Sequence, residues 1–358
     1  MAESIPPSFL TMSESTVVPP PLISLIVPAF SGQGLLFRVL EAAERSLEAA
    51  GIPPPDYETI LADDASQPPL TAPEGVRIVR LERNGGPGAA RNAGAAAARG
   101  DWLLFVDSDL VLAPEAVGHL IAAQRERGAA AVMGGYDLRS PFADVCSRYK
   151  NAAWRWHQIS CPPNEQHLCT AMVLIEAAAF HEVGGFPAGV RIGEDRALGR
   201  ALRGAGHGVW RAVEALGFHH KRFTLFGLLW HHGSNAAHVT RLGLRHEGRR
   251  ERGPETSEFR EATDPRGVSM GLLAAAMGAL FSAWWFPPMA GLGLALLGAH
   301  GGMSYPFARF VAEEEGWGRG VLALGLRLLE DGAGGLGVAA GLMGFGAAER
   351  TEENSGAG

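Results

Sequence analysis

The chain has 358 residues, of which 47% are hydrophobic, and it carries a formal net charge of −7. This length allows one large domain together with a smaller additional region. The acidic balance argues against a nucleic-acid-binding protein, which normally concentrates basic residues on one face. Cys146, Cys161 and Cys169 suggest no disulfide framework, and their odd number fits a reducing compartment. Two of them flank His167, but a zinc site needs a fourth ligand, so packing roles are favoured.

The N-terminal residues are rich in proline and serine and lack the basic start of a signal peptide, because the first basic side chain is Arg38. We therefore expect residues 1–20 to form a disordered tail. Residues 349–358 are expected to form a second disordered tail at the C-terminus.

Between residues 21 and 240 short apolar runs alternate with segments of helical periodicity. The predicted strands are 22–28, 57–63, 76–81 and 101–107, and the predicted helices are 33–50, 88–99 and 114–127. Alternation with short connections is typical of an α/β domain built around a mostly parallel sheet. The segment 21–240 is therefore predicted to form one α/β domain.

The composition changes after residue 240. Residues 241–266 are rich in arginine and glutamate and are predicted to form a charged interfacial linker. Gly267 to Ala299 carries no charged side chain, is too long for one straight crossing of a bilayer, and is split by Pro287 and Pro288. We therefore predict two membrane spans, at 268–286 and 288–307, with a buried helical pair in a soluble domain as the alternative.

The remaining C-terminal segments complete a predicted membrane or interfacial region over 267–348. Residues 320–331 look amphipathic and suit the bilayer interface. Residues 332–348 are uncharged but rich in glycine, so they could span, re-enter, or pack on the other two through Gly337-x-x-x-Gly341. Five arginines within 241–252 place the catalytic half in the cytoplasm by the positive-inside rule.

Polar side chains follow three of the predicted strands, where ligands bind in open α/β sheets. These residues are Asp63 and Asp64, then Asn84, then Asp107 and Asp109. A hard divalent cation such as Mn²⁺ or Mg²⁺ prefers carboxylate oxygens and leaves positions open for phosphate. An Asp-x-Asp pair alone is a weak signal, since most acidic pairs in turns are simply solvated.

Two further segments carry residues that could face the same ligand site at the strand ends. The turn that contains Gly86 and Gly88 lacks the third glycine of a dinucleotide fingerprint, and Arg91 and Asn92 follow on the first helical turns. Further along, the pair Glu194 and Asp195 opens a helix. Such a pair fits either a general base that takes a proton from an attacking hydroxyl or an acidic helix start.

The order and spacing of these motifs resemble those of family-2 glycosyltransferases, which are inverting enzymes with a Rossmann-like GT-A fold. The motifs are "LISLIVPAF", "ILADDAS", "NGGPGAARNAGAAAARGDWLLFVDSD", "EVGGFP" and "GEDRALGRAL". The resemblance covers roughly residues 22–225, and the long middle motif is the specific one. Phe30-Ser31 departs from the Tyr-Asn that the family often carries, which puts the nucleotide contact in doubt there.

The resemblance implies roles for individual residues. The residues implied to bind the nucleotide-sugar are Pro28, Ala29, Asp63, Asp64, Gly86, Arg91, Asn92 and Asp107. The residues implied to bind the metal, Mn²⁺ or Mg²⁺, are Asp109 and Asp107, with His219 and His220 as further candidates. Asp195 is implied to be the catalytic base, with Glu194 as its neighbour.

The expected function is therefore metal-dependent, inverting transfer of a sugar from a UDP-, GDP- or dTDP-linked donor. The expected acceptor is a lipid-linked or cell-envelope glycan, because a membrane-associated enzyme meets its substrates at the bilayer. One alternative is a catalytically silent nucleotide-sugar-binding scaffold in a membrane complex. A nucleotidyltransferase is a weaker alternative, since "VPAFSGQG" carries no basic side chain for a triphosphate.

Overall fold

The structure is a computed structural model that describes residues 22–164, 167–190, 193–247 and 265–343. Both predicted tails, and residues 248–264 of the predicted linker, lie outside these residues. The chain divides into two compact units. Of the described residues, the first unit comprises those within 22–108, 112–134 and 167–215, and the second unit comprises those within 109–111, 135–164, 216–247 and 265–343.

Strands and helices alternate through the N-terminal part of the chain, as predicted. The strands are β1 (Ile23–Ala29), β2 (Tyr57–Asp63), β3 (Arg77–Arg80), β4 (Trp102–Val106), β5 (Leu110–Leu112), β6 (Ala131–Tyr136), β7 (Met172–Glu176) and β8 (Val209–His219). The helices are α1 (Gln33–Ala49), α2 (Pro87–Ala97), α3 (Ala116–Arg127), α4 (Val145–Ser160), α5 (Ala177–Glu182) and α6 (Glu194–Gly204). The predicted strands and helices up to residue 127 are all present, within a few residues of their expected bounds.

The sheet is mixed, which corrects the expectation of a mostly parallel one. Its strand order among the described residues is β3-β2-β1-β4-β7-β6-β8-β5. The pairs β1 with β2, β1 with β4, and β2 with β3 are parallel, whereas β7 runs antiparallel to both β4 and β6. The expectation rested on the strands before residue 107, and the antiparallel strands follow later in the chain.

The core of the first unit explains why these segments fold as they do. All seven residues of β1 are buried, as a central strand covered on both faces requires. Helix α1 buries the stripe that its periodicity predicted, with Leu36, Val39, Leu40 and Leu47 all inaccessible to solvent. Burying each of these side chains contributes roughly 1.5–3 kcal/mol.

Long helices make up most of the second unit. After α4 they are α7 (Leu225–Glu247), α8 (Pro265–Ser282), α9 (Met289–Glu315) and α10 (Trp317–Leu342). The predicted segments 320–331 and 332–348 join in the single helix α10 as far as Leu342. Helix α4 begins after Asp144, whose carboxylate accepts a hydrogen bond from Ser147 N at 2.9 Å, as an N-cap does.

The predicted membrane spans at 268–286 and 288–307 are not supported. Both segments are helical, but none of the described helices combines the length and the apolarity that a bilayer crossing demands. Glycine and alanine dominate the uncharged stretch and contribute little transfer free energy. Helix α9 continues into Glu313, and α10 carries Glu330 and Asp331 at its centre.

The two glycines of the Gly-x-x-x-Gly motif pack α10 against α7, not against α8 and α9. A Cβ atom placed on Gly337 would lie 2.1 Å from the carbonyl oxygen of Gly233. A Cβ on Gly341 would lie 2.7 Å from the carbonyl oxygen of Ala237. The small residues on both helices therefore set how closely the backbones approach.

Candidate active site

Asp63, at the end of β2, is fully buried and serves the local backbone. Its carboxylate accepts hydrogen bonds from Ser66 N at 2.9 Å and Leu70 N at 3.4 Å, and it pairs with Arg80. Burial acts to raise the pKa of Asp63, but these partners outweigh it and hold the pKa below its usual value. In this arrangement Asp63 anchors the turn that follows β2.

Asp64 organises the glycine-rich turn that precedes α2. One carboxylate oxygen accepts a hydrogen bond from Gly85 N at 2.7 Å and the other accepts one from Gly86 N at 2.8 Å. Gly86 has φ of 86°, a conformation that favours glycine, and α2 begins directly after it. The predicted neighbours Pro28 and Ala29 are buried at the end of β1, and the carbonyl of Ala29 accepts a hydrogen bond from Asp64 N.

Arg91, on the first turns of α2, joins two carboxylates that are far apart in sequence. Its guanidinium donates to Asp107 Oδ1 at 2.6 Å and to Glu194 Oε1 at 3.2 Å. The side chain is 4% exposed, so these charges meet in a poorly solvated place where ion pairing is strong. The ring of Phe186 lies 5.4 Å from the guanidinium carbon.

Asn92 holds the loop that leads to α6. Its side-chain oxygen accepts from Phe186 N at 2.9 Å, and its amide nitrogen donates to Phe186 O at 2.8 Å. Gly185 adopts φ of 68°, and a Cβ there would lie 2.7 Å from the Asn92 oxygen. The pair Arg91 and Asn92 therefore ties the loop backbone and Glu194 to α2.

Glu194 and Asp195 begin α6, after Gly193 with φ of 82°. Burial and the neighbouring Asp195 raise the pKa of Glu194 above its usual value, although Arg91 opposes them. Asp195 is partly buried, and its Oδ1 accepts a hydrogen bond from Arg196 N at 2.7 Å. The two acids thus differ in environment, because Arg91 binds Glu194 while a backbone amide orients Asp195.

The second unit contains the remaining predicted metal ligands. His219 Nε2 lies 3.3 Å from Asp109 Oδ2, and His220 N donates to the carbonyl of Asp109 at 2.7 Å. The rings of Tyr136 and Trp154 each lie 4.8 Å from the His219 ring and confine it. Burial acts to raise the pKa of Asp109, but His219 and the Lys221 charge prevail and lower it.

Asp109 and His219 suit a divalent cation of the Mn²⁺ or Mg²⁺ type. A carboxylate and an imidazole are both accepted ligands, and Asp109 is 40% exposed on its side chain. In the part of the chain that the structure describes, Nδ1 of His219 is buried without a hydrogen-bond partner, and no three acidic, histidine or cysteine side chains form a cage. The donor set therefore fits a metal that takes its other ligands from diphosphate oxygens and water.

The structure brings together some predicted residues and gives others a local role. Arg91, Asp107 and Glu194 form one cluster in the first unit, whereas Asp63 and Asp64 bind backbone amides. His220 contributes its backbone amide to Asp109, and its ring lies 6.4 Å from that of Phe142. The sequence did not predict that the backbone of Phe186 binds the side chain of Asn92. The motif "EVGGFP" contains Phe186 but does not indicate this contact.

Residues 24–184 match the model of the family described as Glycosyl transferase family 2. This match covers less than half of the chain, and the matched residues include Asp64, Arg91, Asp107 and Asp109.

Two curated relatives match parts of the chain. Succinoglycan biosynthesis protein ExoO of Rhizobium meliloti (strain 1021) is 34% identical over 126 residues, which are 34% of this chain and 34% of that protein. Undecaprenyl-phosphate 4-deoxy-4-formamido-L-arabinose transferase of Aeromonas hydrophila subsp. hydrophila is 32% identical over 130 residues, which are 33% of this chain and 35% of that protein. The matches span about a third of the length of each relative.

A solved structure resembles the chain over most of its length. It is the mannosyltransferase PcManGT from Pyrobaculum calidifontis in complex with GDP-Man and Mn²⁺, with a TM-score of 0.53 and 16% identity. The match covers 90% of this chain and 87% of that one. At this identity the likeness is one of fold.

Proposed function

We propose that the chain is a metal-dependent inverting glycosyltransferase that moves a sugar from a nucleotide-diphosphate donor to a lipid-linked or glycan acceptor. The observation that carries this proposal is the arginine bridge, in which buried Arg91 binds both Asp107 and Glu194. It fixes the start of α6, and with it Asp195, relative to the strand end that bears Asp107. Transfer of a sugar requires the base and the anomeric carbon of the donor to be held at a fixed distance and orientation.

Asp195 is the proposed general base. Its carboxylate takes the proton of the acceptor hydroxyl while that oxygen forms a bond to the anomeric carbon of the sugar. The bond from the anomeric carbon to the diphosphate oxygen breaks on the opposite face, so the configuration inverts. Glu194 has a positioning role in this scheme, because Arg91 holds it in an ion pair.

Asp109 is the proposed protein ligand of the metal, with His219 beside it. A bound Mn²⁺ or Mg²⁺ supplies positive charge that stabilises the departing diphosphate. The lowered pKa of Asp109 keeps its carboxylate ionised, and Tyr136 and Trp154 keep the His219 ring in place. Mn²⁺ and GDP-Man in the mannosyltransferase of similar fold support the cofactor and the donor class.

The acceptor class is proposed from the relatives. The transferase from Aeromonas hydrophila is named for undecaprenyl phosphate, a lipid-linked carrier, and ExoO is named for succinoglycan biosynthesis. Either class fits an enzyme that works at the cytoplasmic face of a membrane. We retain that localisation as part of the proposal.

The proposal is tested by measuring the hydrolysis and transfer of UDP-, GDP- and dTDP-linked sugars by the purified full chain, with Mn²⁺, with Mg²⁺ and with a chelator. We expect one donor class to be turned over and the chelator to abolish turnover. Asp195→Asn should reduce turnover by roughly 10²–10⁴-fold, the usual contribution of a general base, with donor affinity retained. Asp109→Asn should weaken binding of the metal and the nucleotide together.

Asp101→Asn is the matched control, because Asp101 is an exposed carboxylate that precedes β4, whereas Asp107 follows it. This control should leave turnover unchanged. Donor binding without turnover in the unmodified chain would instead favour the scaffold alternative. Equal activity in Asp195→Asn and the unmodified chain would overturn the assignment of the base.

A further inference from the structure

We propose that the outer surface of helices α8, α9 and α10 is a docking surface for the interface of a lipid bilayer, on which the helices lie without crossing it. This surface belongs to the second unit, and the inference does not depend on the transfer activity. It rests on the distribution of charge between the outside and the inside of these helices and on the aromatic turn that joins α8 to α9.

The outside of these helices is uncharged as far as Ala308, after which Arg309, Glu313 and Glu314 of α9 are exposed. No Asp, Glu, Lys or Arg occurs from Gly267 to Ala308, so every exposed position there is uncharged. On α10 the exposed positions beyond Arg319 are likewise uncharged. The large apolar side chains exposed on α10 are Val321, Leu322, Leu328, Leu329, Leu336 and Leu342. Soluble proteins rarely expose so continuous an apolar surface without a partner.

The inside of the same helices holds a charged network beside buried apolar side chains such as Phe307 and Val311. Lys150 Nζ of α4 lies 2.6 Å from Glu330 Oε1, and Tyr149 OH donates to Glu330 Oε2 at 2.8 Å. Asp331 accepts from Ser269 Oγ at 2.7 Å and lies 3.0 Å from His300 Nε2. Glu330 and Asp331 are 0% and 1% exposed.

This arrangement departs from the usual water-exposed bundle, whose charges face outward, because the two central acids of α10 are buried. The central acids of α10 bind Lys150 and His300 inside the bundle, so the charges at the middle of α10 lie on its inner side. Apolar outer faces with paired charges inside are what helices in contact with lipid require.

The turn between α8 and α9 supplies the anchor. Phe281, Trp284, Trp285 and Phe286 are 72%, 86%, 70% and 60% exposed, and Pro287 follows them. Tryptophan is enriched at membrane interfaces, where its ring contacts acyl chains and its N–H meets the polar headgroups. Interfaces between proteins place aromatic anchors inside a polar rim, whereas the sequence around this turn has no charged residue. These features favour lipid over a second copy of the chain.

The test is flotation of the purified full chain with vesicles of phosphatidylcholine, alone and with phosphatidylglycerol. Tryptophan fluorescence is recorded with brominated lipids as quenchers. We expect binding to both vesicle types, quenching of tryptophan emission, and solubility without detergent. Binding that requires phosphatidylglycerol would show that basic residues dominate, and would overturn the apolar mechanism.

The double variant Trp284→Ser, Trp285→Ser removes the anchor without changing charge or the inner network. It should lower vesicle affinity at least about tenfold, because two exposed indoles account for much of the insertable apolar area. Phe37→Ser is the matched control, since Phe37 is an aromatic side chain 46% exposed on α1 in the first unit. It should leave vesicle binding intact, and the thermal unfolding of both variants checks that they fold.

Light scattering decides between lipid and self-association. A monomer that binds vesicles, and loses binding in the double variant, supports the proposal. A stable oligomer that ignores vesicles and dissociates in the double variant would show that this face binds a second copy, and would overturn it.

Discussion

The first and second units both bury an acid beside a basic side chain, but the two ion-pair networks differ in how they end. In the first unit Arg91 leads outward to Asp107, whose side chain is 29% exposed. In the second unit Lys150 leads to Glu330, which is 0% exposed, among helices. A network that reaches the solvent can act on a ligand, whereas a closed network sets how helices pack. Buried charge alone therefore does not mark a catalytic centre.

The largest expected effect comes from breaking the closed network. Lys150→Ala removes the nearest cation of buried Glu330, which should cost up to about 3–5 kcal/mol of unfolding free energy. Glu330 then keeps the weaker contacts to His232 at 3.7 Å and to Arg327 at 4.0 Å. Chemical denaturation of the full chain measures this loss. The paired variant Lys150→Met, Glu330→Leu should recover part of the loss, because Tyr149 and Arg327 also lose Glu330 as a partner. A double variant as unstable as Lys150→Ala would contradict the closed-network interpretation.

Breaking the open network should affect activity more than stability. Arg91→Lys keeps the charge but cannot bind Asp107 and Glu194 in the same fork geometry. Losing one charged hydrogen bond of about 1.5–3 kcal/mol should reduce turnover by roughly 10–100-fold. Turnover and donor affinity, measured side by side, check this prediction. A variant that loses stability but keeps its turnover number would show that the bridge only supports the fold.

The contact between α7 and α10 offers a smaller and purely steric test. Gly337→Ala would place a methyl group against the Gly233 carbonyl, and such overpacking typically costs about 1–3 kcal/mol. Gly335→Ala is the control on the same helix, because a Cβ there meets nothing within 4 Å. The difference between their melting temperatures measures the contact, and equal values would disprove close approach.

The last effect is absent at neutral pH and develops only as the pH falls. Burial lowers the pKa of His231 to about 4, so the folded chain keeps this ring neutral while the unfolded chain protonates it near its ordinary value of 6.5. The contribution of neutral His231 to the free energy of unfolding is fully present above pH 6.5 and is lost as the pH falls toward 4. Comparing pH-dependent unfolding of the unmodified chain with His231→Gln should show a shallower slope over this window in the variant. Identical slopes would exclude His231 as the cause.

Local sequence patterns predicted the secondary structure of the first unit better than the environment of the helices in the second unit. The strands and helices up to residue 127 could be predicted because apolar runs and helical stripes such as Leu36 to Leu47 report directly on burial. The antiparallel placement of β7 could not, since pairing direction depends on partners distant in sequence. The prediction of membrane spans was not supported in the second unit. The uncharged sequence near Trp284 does not distinguish a helix that crosses a bilayer from one that does not cross it.

The candidate site shows the same limit. The motifs indicated Arg91, Asn92, Glu194 and Asp195 as individual residues, but not that Arg91 binds Glu194. That contact joins residues about a hundred positions apart, which no local spacing encodes. The roles of Asp64 and Asp109 toward nucleotide and metal remain predictions, and the variants described above address Asp109 directly.

The clasp between Asn92 and Phe186 has a consequence for redesign. Both of its hydrogen bonds reach the main chain of residue 186, so the clasp is indifferent to which side chain stands there. Phe186 is nevertheless 2% exposed and packs against Phe105 and Phe180, so a change there near Arg91 has to keep a large apolar side chain if the core is to stay filled.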